Sequence, residues 1–181
     1  MKKRFFSSVL LCLFLVSCSA DSPRAEDILA RYENAKGIDI TADVTAEFSD
    51  RADTYRVHYK YLKDSDCSVE VIEPQSIAGI AATISEKGTV LEFDGAILET
   101  GVSNTEKIMP LNATDKLIRK LALGNVSEVG REGENCLLVF RDENIEYRAV
   151  MTESGDPISA EILNHGRLIL SIDFIKCEVT N

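Results

Sequence analysis

Apolar and polar residues alternate with a period of two along most of the chain after residue 37. From Ile40 to Phe48 every second residue is apolar, and Tyr55 to Tyr61 repeats the pattern. This alternation is typical of a strand with one buried and one exposed face. About ten such short segments follow one another, separated by turn sequences such as Asp94-Gly95, which predicts a meandering antiparallel sheet.

Two segments follow the helical period instead. The first is predicted from a start at Ser22 to a stop at Gly37, and the second from an N-cap at Asn112 to Leu123. Each has one apolar face that it cannot bury alone. The economical arrangement lays both helices on the concave face of one strongly curved sheet. We therefore predict a single α+β domain over residues 23–181.

The first twenty residues have a pattern of their own. Three cations, Lys2, Lys3 and Arg4, precede a run of twelve mostly apolar residues at positions 5–16. This run is too short for a spanning helix, which takes about 20 apolar residues. A basic start, a short apolar core and small residues before a cleavage site are typical of a secretory signal peptide. We predict that residues 1–17 are this signal peptide.

Leu15-Val16-Ser17-Cys18 resembles the lipobox of bacterial lipoproteins. In that family the cysteine thiol receives a diacylglyceryl group, and cleavage falls just before it. The alternative is an ordinary signal peptide cut at Ser17 or Ala20, with Cys18 incidental. The lipobox implies a lipidated Cys18 and a tether over residues 18–22. It also implies an extracytoplasmic location, anchored to the cell membrane or to an outer membrane where the cell has one.

The net charge of the chain limits the kinds of partner it can bind. The chain carries 20 Lys and Arg against 30 Asp and Glu, and the three cations of the signal peptide are removed on cleavage. The mature chain then has 17 cations against 30 acids, a net charge of −13. This balance argues against nucleic acid and against adhesion to anionic lipid through a basic patch. Membrane contact is expected through the acyl chains on Cys18.

Sequence motifs for catalysis and metal binding are missing. His58 and His165 have no histidine partner three or four residues away, and there is no G-x-S-x-G elbow, P-loop or dinucleotide fingerprint. The acidic residues alternate along strands or cluster in turns, as they do on a solvated face. We predict that the protein is not an enzyme and has no catalytic residue, no metal site and no cofactor.

Three cysteines remain after Cys18: Cys67, Cys136 and Cys177. Each lies in an apolar, strand-like stretch, which is typical of a buried free thiol. One disulfide, which is permitted outside the cytoplasm, is the alternative. No pair has the C-x-x-C spacing of a zinc or redox site.

Small residues on the predicted strands leave two interpretations open. Alanines at positions 42, 46, 81 and 82 leave room that an acyl chain could fill, since each buried methylene contributes about 0.8 kcal/mol. Alternatively the two helices fill that room, which composition alone favours. The residues expected to line such a cavity are Tyr32, Ala42, Val44, Ala46, Ala82, Ile84, Leu117 and Leu121.

Three segments are informative together: VIEPQSIAGI at 71–80, GTVLEFDG at 88–95 and DPISAEI at 156–162, with P-x-x-I-A-G-I the most specific stretch. They resemble the lipoprotein-sorting carriers of the LolA/LolB type, especially small lipoproteins of that fold from Gram-positive, clostridia-like bacteria. The resemblance implies a half-open, strongly curved antiparallel sheet, an unclosed barrel, wrapped round a helix lid. In the family the apolar cavity between them holds lipid or the acyl chains of lipoproteins.

Two functions follow as hypotheses. In the first, a membrane-anchored lipoprotein binds lipid or lipoprotein acyl chains in an apolar cavity between sheet and helices, which predicts a cavity of several hundred Å³. In the alternative, a tethered, non-enzymatic adaptor or chaperone docks a partner cell-envelope or cell-wall protein through the sheet. This alternative predicts an exposed apolar patch or a free strand edge.

Overall fold

The computed structural model describes residues 22–85, 87–99 and 108–181. The predicted signal peptide, Cys18 and residues 18–21 of the tether lie outside the described residues, as do positions 100–107 of the loop that follows Glu99. The helices are α1 (Ser22–Glu33) and α2 (Pro110–Leu123). The strands are β1 (Gly37–Glu47), β2 (Ala52–Leu62), β3 (Cys67–Glu73), β4 (Ala81–Ser85), β5 (Gly88–Phe93), β6 (Ala96–Glu99), β7 (Glu128–Glu132), β8 (Asn135–Asp142), β9 (Ile145–Met151), β10 (Pro157–Asn164) and β11 (Arg167–Thr180).

Within the described residues the strands form one antiparallel sheet of eleven, in the order β6-β5-β4-β3-β2-β1-β11-β10-β9-β8-β7. Strands that are consecutive in the chain are neighbours, except β6 and β7, which lie at the two edges, and the one further pairing joins β1 to β11. Gly37 pairs with Thr180, and Ala46 pairs with Leu170, so the two ends of the domain meet in the middle of the sheet. The sheet ends at β6 and β7 and is not closed into a barrel, which confirms the predicted α+β class.

Both helices pack on one side of the sheet, here called the inner face. In β1 every second residue from Ile38 to Ala46 is buried, and the residues between them are partly exposed. Helix α2 packs against β1, β2, β3 and β11, and α1 packs against α2 and β8. Leu117 and Leu121 of α2 are fully buried in the core between the two layers. No helix in the described part of the chain has the length and apolar character to cross a membrane.

The element boundaries differ from the predicted ones at three places, two in the helices and one at the end of β1. Helix α2 begins at Pro110, because proline suits the first helical position and has no N–H to leave unpaired. Asn112 therefore caps the helix from within its first turn, where its Oδ1 accepts a hydrogen bond from the Met109 N–H at 2.8 Å. Helix α1 ends at Glu33, and Gly37 is the first residue of β1. Phe48, predicted as the last inward residue of its strand, lies just beyond β1 and is 48% exposed.

Candidate ligand pocket

A pocket of about 230 Å³ opens at one end of the inner face, between the two helices and strands β1 to β3. Its apolar wall is formed by five residues from β1, β2 and α2: Ile38, Tyr61, Ile118, Ala122 and Leu123. Leu123, the last residue of α2, is 66% exposed. The apolar wall is therefore continuous with the protein core on one side and reaches solvent on the other.

A polar cluster lies inside this pocket. Asp115 of α2 is 3% exposed, and its Oδ2 accepts a hydrogen bond from Arg119 Nε at 2.8 Å. Its Oδ1 lies 3.4 Å from the hydroxyl of Tyr59, which also lies 3.6 Å from Cys67 Sγ. Arg119 Nη2 is 3.7 Å from the same sulfur. Four side chains from α2, β2 and β3 thus form one connected network beside the apolar wall.

Burial keeps two members of this network in their neutral forms. Burial, and then the charge of Asp115, raise the pKa of Tyr59 and raise that of Cys67 to about 11. For Arg119, burial lowers the pKa, but the hydrogen bond to Asp115 and its charge outweigh this and leave the pKa raised. At neutral pH Tyr59 and Cys67 are therefore protonated, and Arg119 carries a full positive charge on the pocket wall.

The structure brings one of the eight predicted cavity residues to this pocket. Tyr32 lines it, and its hydroxyl donates a hydrogen bond to the Gly155 carbonyl at 3.0 Å. The other seven lie in the core between helices and sheet, where Ile84 is partly buried and the rest are buried: Ala42, Val44, Ala46, Ala82, Ile84, Leu117 and Leu121. Because helix side chains fill the middle of the inner face, the open space is smaller than expected and lies at one end.

Sequence reasoning missed the polar cluster, although α2 carries a signal for it. Asp115 falls on the same side of the helix as Leu111, Ile118 and Ala122, at spacings of four, three and seven residues. An acidic residue on the apolar stripe of an amphipathic helix must find partners when it is buried. Arg119, four residues later, is the partner that could have been recognised.

A second hollow, of about 310 Å³, lies on the opposite face of the sheet, over β7 to β10. Its charged groups pair with one another. Arg141 contacts Glu128 at 2.9 Å and Glu146 at 2.7 Å, and Arg148 contacts Glu146 at 2.7 Å and Glu161 at 3.5 Å. The arginine hydrogen bonds, that of Arg141 first, lower the pKa of Glu146. This hollow is a network of surface ion pairs, unlike the apolar pocket.

Neither histidine lines the inner-face pocket. His58 Nε2 lies 3.0 Å from Asp39 Oδ1, and His165 lies in the turn between β10 and β11. Across residues 22–85, 87–99 and 108–181, no three or more metal-ligating side chains come together. Among the cysteines of these ranges, Cys67 is buried, and Cys136 and Cys177 are half-buried.

One edge of the sheet is apolar. Strand β6 is the last in the strand order, and it pairs with β5. Ile97 is 66% exposed and Leu98 is 61% exposed, and they point to opposite faces because successive side chains alternate in a strand. Phe93 of β5 is also exposed beside them. Both sides of this edge therefore present apolar side chains to solvent.

Comparison with solved structures identifies the fold. An uncharacterized conserved protein from Thermus thermophilus superposes with a TM-score of 0.53 at 14% identity, over 87% of this chain and 88% of that chain. A domain assigned to outer membrane lipoprotein sorting, from Vibrio parahaemolyticus, gives 0.50 at 11% identity, over 90% and 93%. A LolA superfamily protein from Nitrosomonas europaea gives 0.48 at 13% identity, over 87% and 94%.

Sequence comparison adds no assignment, because no family model matches the chain and no curated protein matches it. The structural matches share less than a fifth of their residues with this chain, so they bear on architecture alone. An open antiparallel sheet with two helices on its inner face is the architecture that the sequence resemblance implies. This chain has the LolA-like fold.

Proposed function

We propose that this protein is a membrane-anchored, extracytoplasmic lipoprotein that holds an apolar chain in the inner-face pocket. The ligand class is a lipid or the acyl chain of a lipoprotein. The observation that carries the proposal is the apolar wall of the pocket, which joins the core at one end and opens to solvent at Leu123. A long apolar chain can enter such a pocket from water without any rearrangement of the core.

The size of the pocket limits what it holds. At about 230 Å³ it is below the range of roughly 300 to 1,000 Å³ typical of sites for drug-sized ligands, so it fits part of one chain. Five buried methylenes contribute about 4 kcal/mol, which is near the lower bound of the cost of association. Binding is therefore expected to be weak and reversible, as a carrier requires.

The proposed anchor lies at the other end of helix α1 from the pocket. Three residues separate Cys18 from Ser22, and a fully extended chain gains at most about 3.6 Å per residue, so α1 starts within about 14 Å of the lipidated cysteine. Tyr32 and Glu33, at the last turn of α1, line the pocket. A twelve-residue helix is about 18 Å long, which separates the pocket from the anchored end.

The pocket is tested with the mature chain carrying Cys18→Ala, purified without detergent and titrated with dodecanol. Ala122→Phe places a ring in the pocket, and we expect it to weaken dodecanol binding at least tenfold. Ala96→Phe adds the same ring at an exposed position of β6 and serves as the control. Chemical shifts of the pocket amides report the binding. Unchanged dodecanol affinity in Ala122→Phe would contradict the proposal.

The anchor is tested separately in cells. Cys18→Ala is expected to move the protein from the membrane fraction to the soluble extracytoplasmic fraction and to abolish incorporation of labelled fatty acid. Ser19→Ala, one residue further on, is the matched control and keeps both properties. A Cys18→Ala chain that stays in the membrane fraction would rule out this anchor.

A second function, docking of a partner envelope protein, is favoured by the apolar edge at β6. Strand β6 is the last strand of the sheet in the described part of the chain and carries exposed Ile97 and Leu98, and such an edge strand can pair with an extended segment of another chain. A photo-crosslinking residue at position 97 tests this in cells. Recurrent crosslinks to one envelope protein, lost on Leu98→Lys and retained on Ile175→Lys, would support docking. Crosslinks that Leu98→Lys leaves unchanged would exclude it.

A further inference from the structure

The charged groups of the inner-face pocket are arranged in an unusual way for an acyl-chain site. Asp115 is buried, and removing a carboxylate from water costs several kcal/mol unless it is paired and hydrogen-bonded. Replacing it with an apolar residue would extend the apolar wall at no such cost. The network instead uses Asp115 to hold Arg119 in a fixed position, since Arg119 Nε donates to it at 2.8 Å.

Arg119 has donor capacity left over. Its Nε is occupied by Asp115, and its Nη2 lies 3.7 Å from Cys67 Sγ. Its Nη1 has no hydrogen-bond partner in the described residues, and the side chain is 54% exposed on the pocket wall. A guanidinium edge held in this way can bind an oxygen anion such as a phosphate.

A second charge of opposite sign lines the same pocket. Glu33, the last residue of α1, is exposed and has no ion pair within the described part of the chain. It lies on the other helix from Arg119, next in sequence to Tyr32. Since Asp115 is already paired, an incoming ligand meets one available cation and one available anion.

These two charges decide between classes of headgroup. A purely anionic headgroup is attracted by Arg119 but repelled by Glu33, and a purely cationic one meets the reverse. A headgroup that carries both charges satisfies both side chains. We infer that the pocket binds a zwitterionic single-chain amphiphile, with its phosphate on Arg119, its ammonium at Glu33 and its apolar chain against Ile118 and Leu123. This inference rests on the proposed acyl-chain function.

The experiment compares four twelve-carbon probes on the Cys18→Ala mature chain, all below their micelle concentrations. They are dodecanol, dodecyl phosphate, dodecylammonium and dodecylphosphocholine. We expect dodecylphosphocholine to bind about tenfold more tightly than dodecanol, because hydrogen bonds to charged groups are the stronger ones. The two singly charged probes should fall between them.

Two variants assign the charges. Arg119→Gln should remove most of the tenfold advantage of dodecylphosphocholine over dodecanol and should also weaken the binding of dodecyl phosphate. Glu33→Gln should weaken the binding of dodecylphosphocholine about threefold, as expected of an exposed charge. In both variants dodecanol affinity should change less than dodecylphosphocholine affinity, because dodecanol carries no charge. Lys116→Gln on α2 and Glu26→Gln on α1 remove the same charges from the same helices away from the pocket, and should leave all four affinities unchanged. Unfolding midpoints check that each variant is folded.

The outcomes separate this inference from the function on which it rests. If dodecanol and dodecylphosphocholine bind equally, or if Arg119→Gln lowers both affinities alike, the headgroup site is overturned and the acyl-chain pocket remains. A protein that prefers dodecyl phosphate or dodecylammonium to dodecylphosphocholine also overturns the zwitterionic assignment. If none of the four probes binds, the acyl-chain function itself fails.

Discussion

Asp115 is a carboxylate buried between α2 and the sheet. Hydrogen bonds from Arg119 and Tyr59 stabilise its charged form there. We expect Asp115→Asn to lower the free energy of unfolding by about 1 to 3 kcal/mol, the range for lost hydrogen bonds to a charged group. The cost stays moderate because the remaining Arg119 is half-exposed and solvated. Urea unfolding measures it.

Asp142 provides the matched comparison, because it pairs with Lys120 of the same helix and is more exposed than Asp115. Surface ion pairs contribute at most about 1 kcal/mol, so Asp142→Asn should be close to neutral. Equal losses in the two variants would show that burial of Asp115 does not matter to its contribution.

Titration of Cys67 should make the free energy of unfolding decrease as pH rises. Its thiol pKa is raised from 9.0 to about 11 in the folded state, by burial first. A raised folded pKa means that the stabilisation is fully present below pH 9 and is lost as pH rises from 9 to 11. Each pKa unit corresponds to about 1.4 kcal/mol, so the free energy of unfolding should fall by about 2 to 3 kcal/mol on this account.

Cys67→Ser isolates this contribution, because it keeps a polar partner for Tyr59 but does not titrate in that range. We expect the stability difference between the natural chain and Cys67→Ser to shrink steadily between pH 9 and pH 11. Chemical denaturation at a series of pH values measures it. Parallel curves for the two proteins would contradict the assignment to Cys67.

At the scale of elements, the end of α2 depends on the backbone of Gly124. Gly124 has φ of +69° and a Cβ there would contact nothing within 4 Å, so the cost of a side chain is conformational. Gly124→Ala should lower the free energy of unfolding by about 1 kcal/mol. Gly130→Ala in β7 is the control, because the added Cβ meets only Leu137 at an ordinary 3.7 Å. Thermal unfolding measures both variants, and the unfolding temperature of Gly130→Ala should equal that of the natural chain.

The elements themselves could be predicted from the sequence, because each is determined by local pattern. The alternation predicted from Ile40 matches the burial of β1 residue by residue as far as Ala46. The pocket could not be predicted, because its parts come from distant positions. Tyr59 and Asp115 are 56 residues apart, and Cys67 and Arg119 are 52 apart. The periodicity of one segment does not show whether the helix side chains fill the space between the helices and the sheet or leave it open.

At the scale of the whole molecule, the connection through α2 explains where the pocket lies. The chain passes from β6 at one end of the sheet to β7 at the other, and α2 is the helix on that path. It therefore crosses the inner face and covers its middle. The open space lies between the last turns of α1 and α2 and strands β1 to β3.

The strand order also predicts how stability is distributed. Strands β1 and β11 pair over ten residue pairs, from Gly37 with Thr180 to Ala46 with Leu170, in the centre of the sheet. Their amides open only when the domain unfolds, whereas those of an edge strand open locally. Hydrogen exchange should show the slowest amides in β1 and β11, with rates tracking global unfolding in denaturant. Amides of the β5–β6 hairpin should exchange fastest among the strands. Equal protection of β6 and β1 would mean that the β6 edge is covered in solution, as pairing with another chain would require.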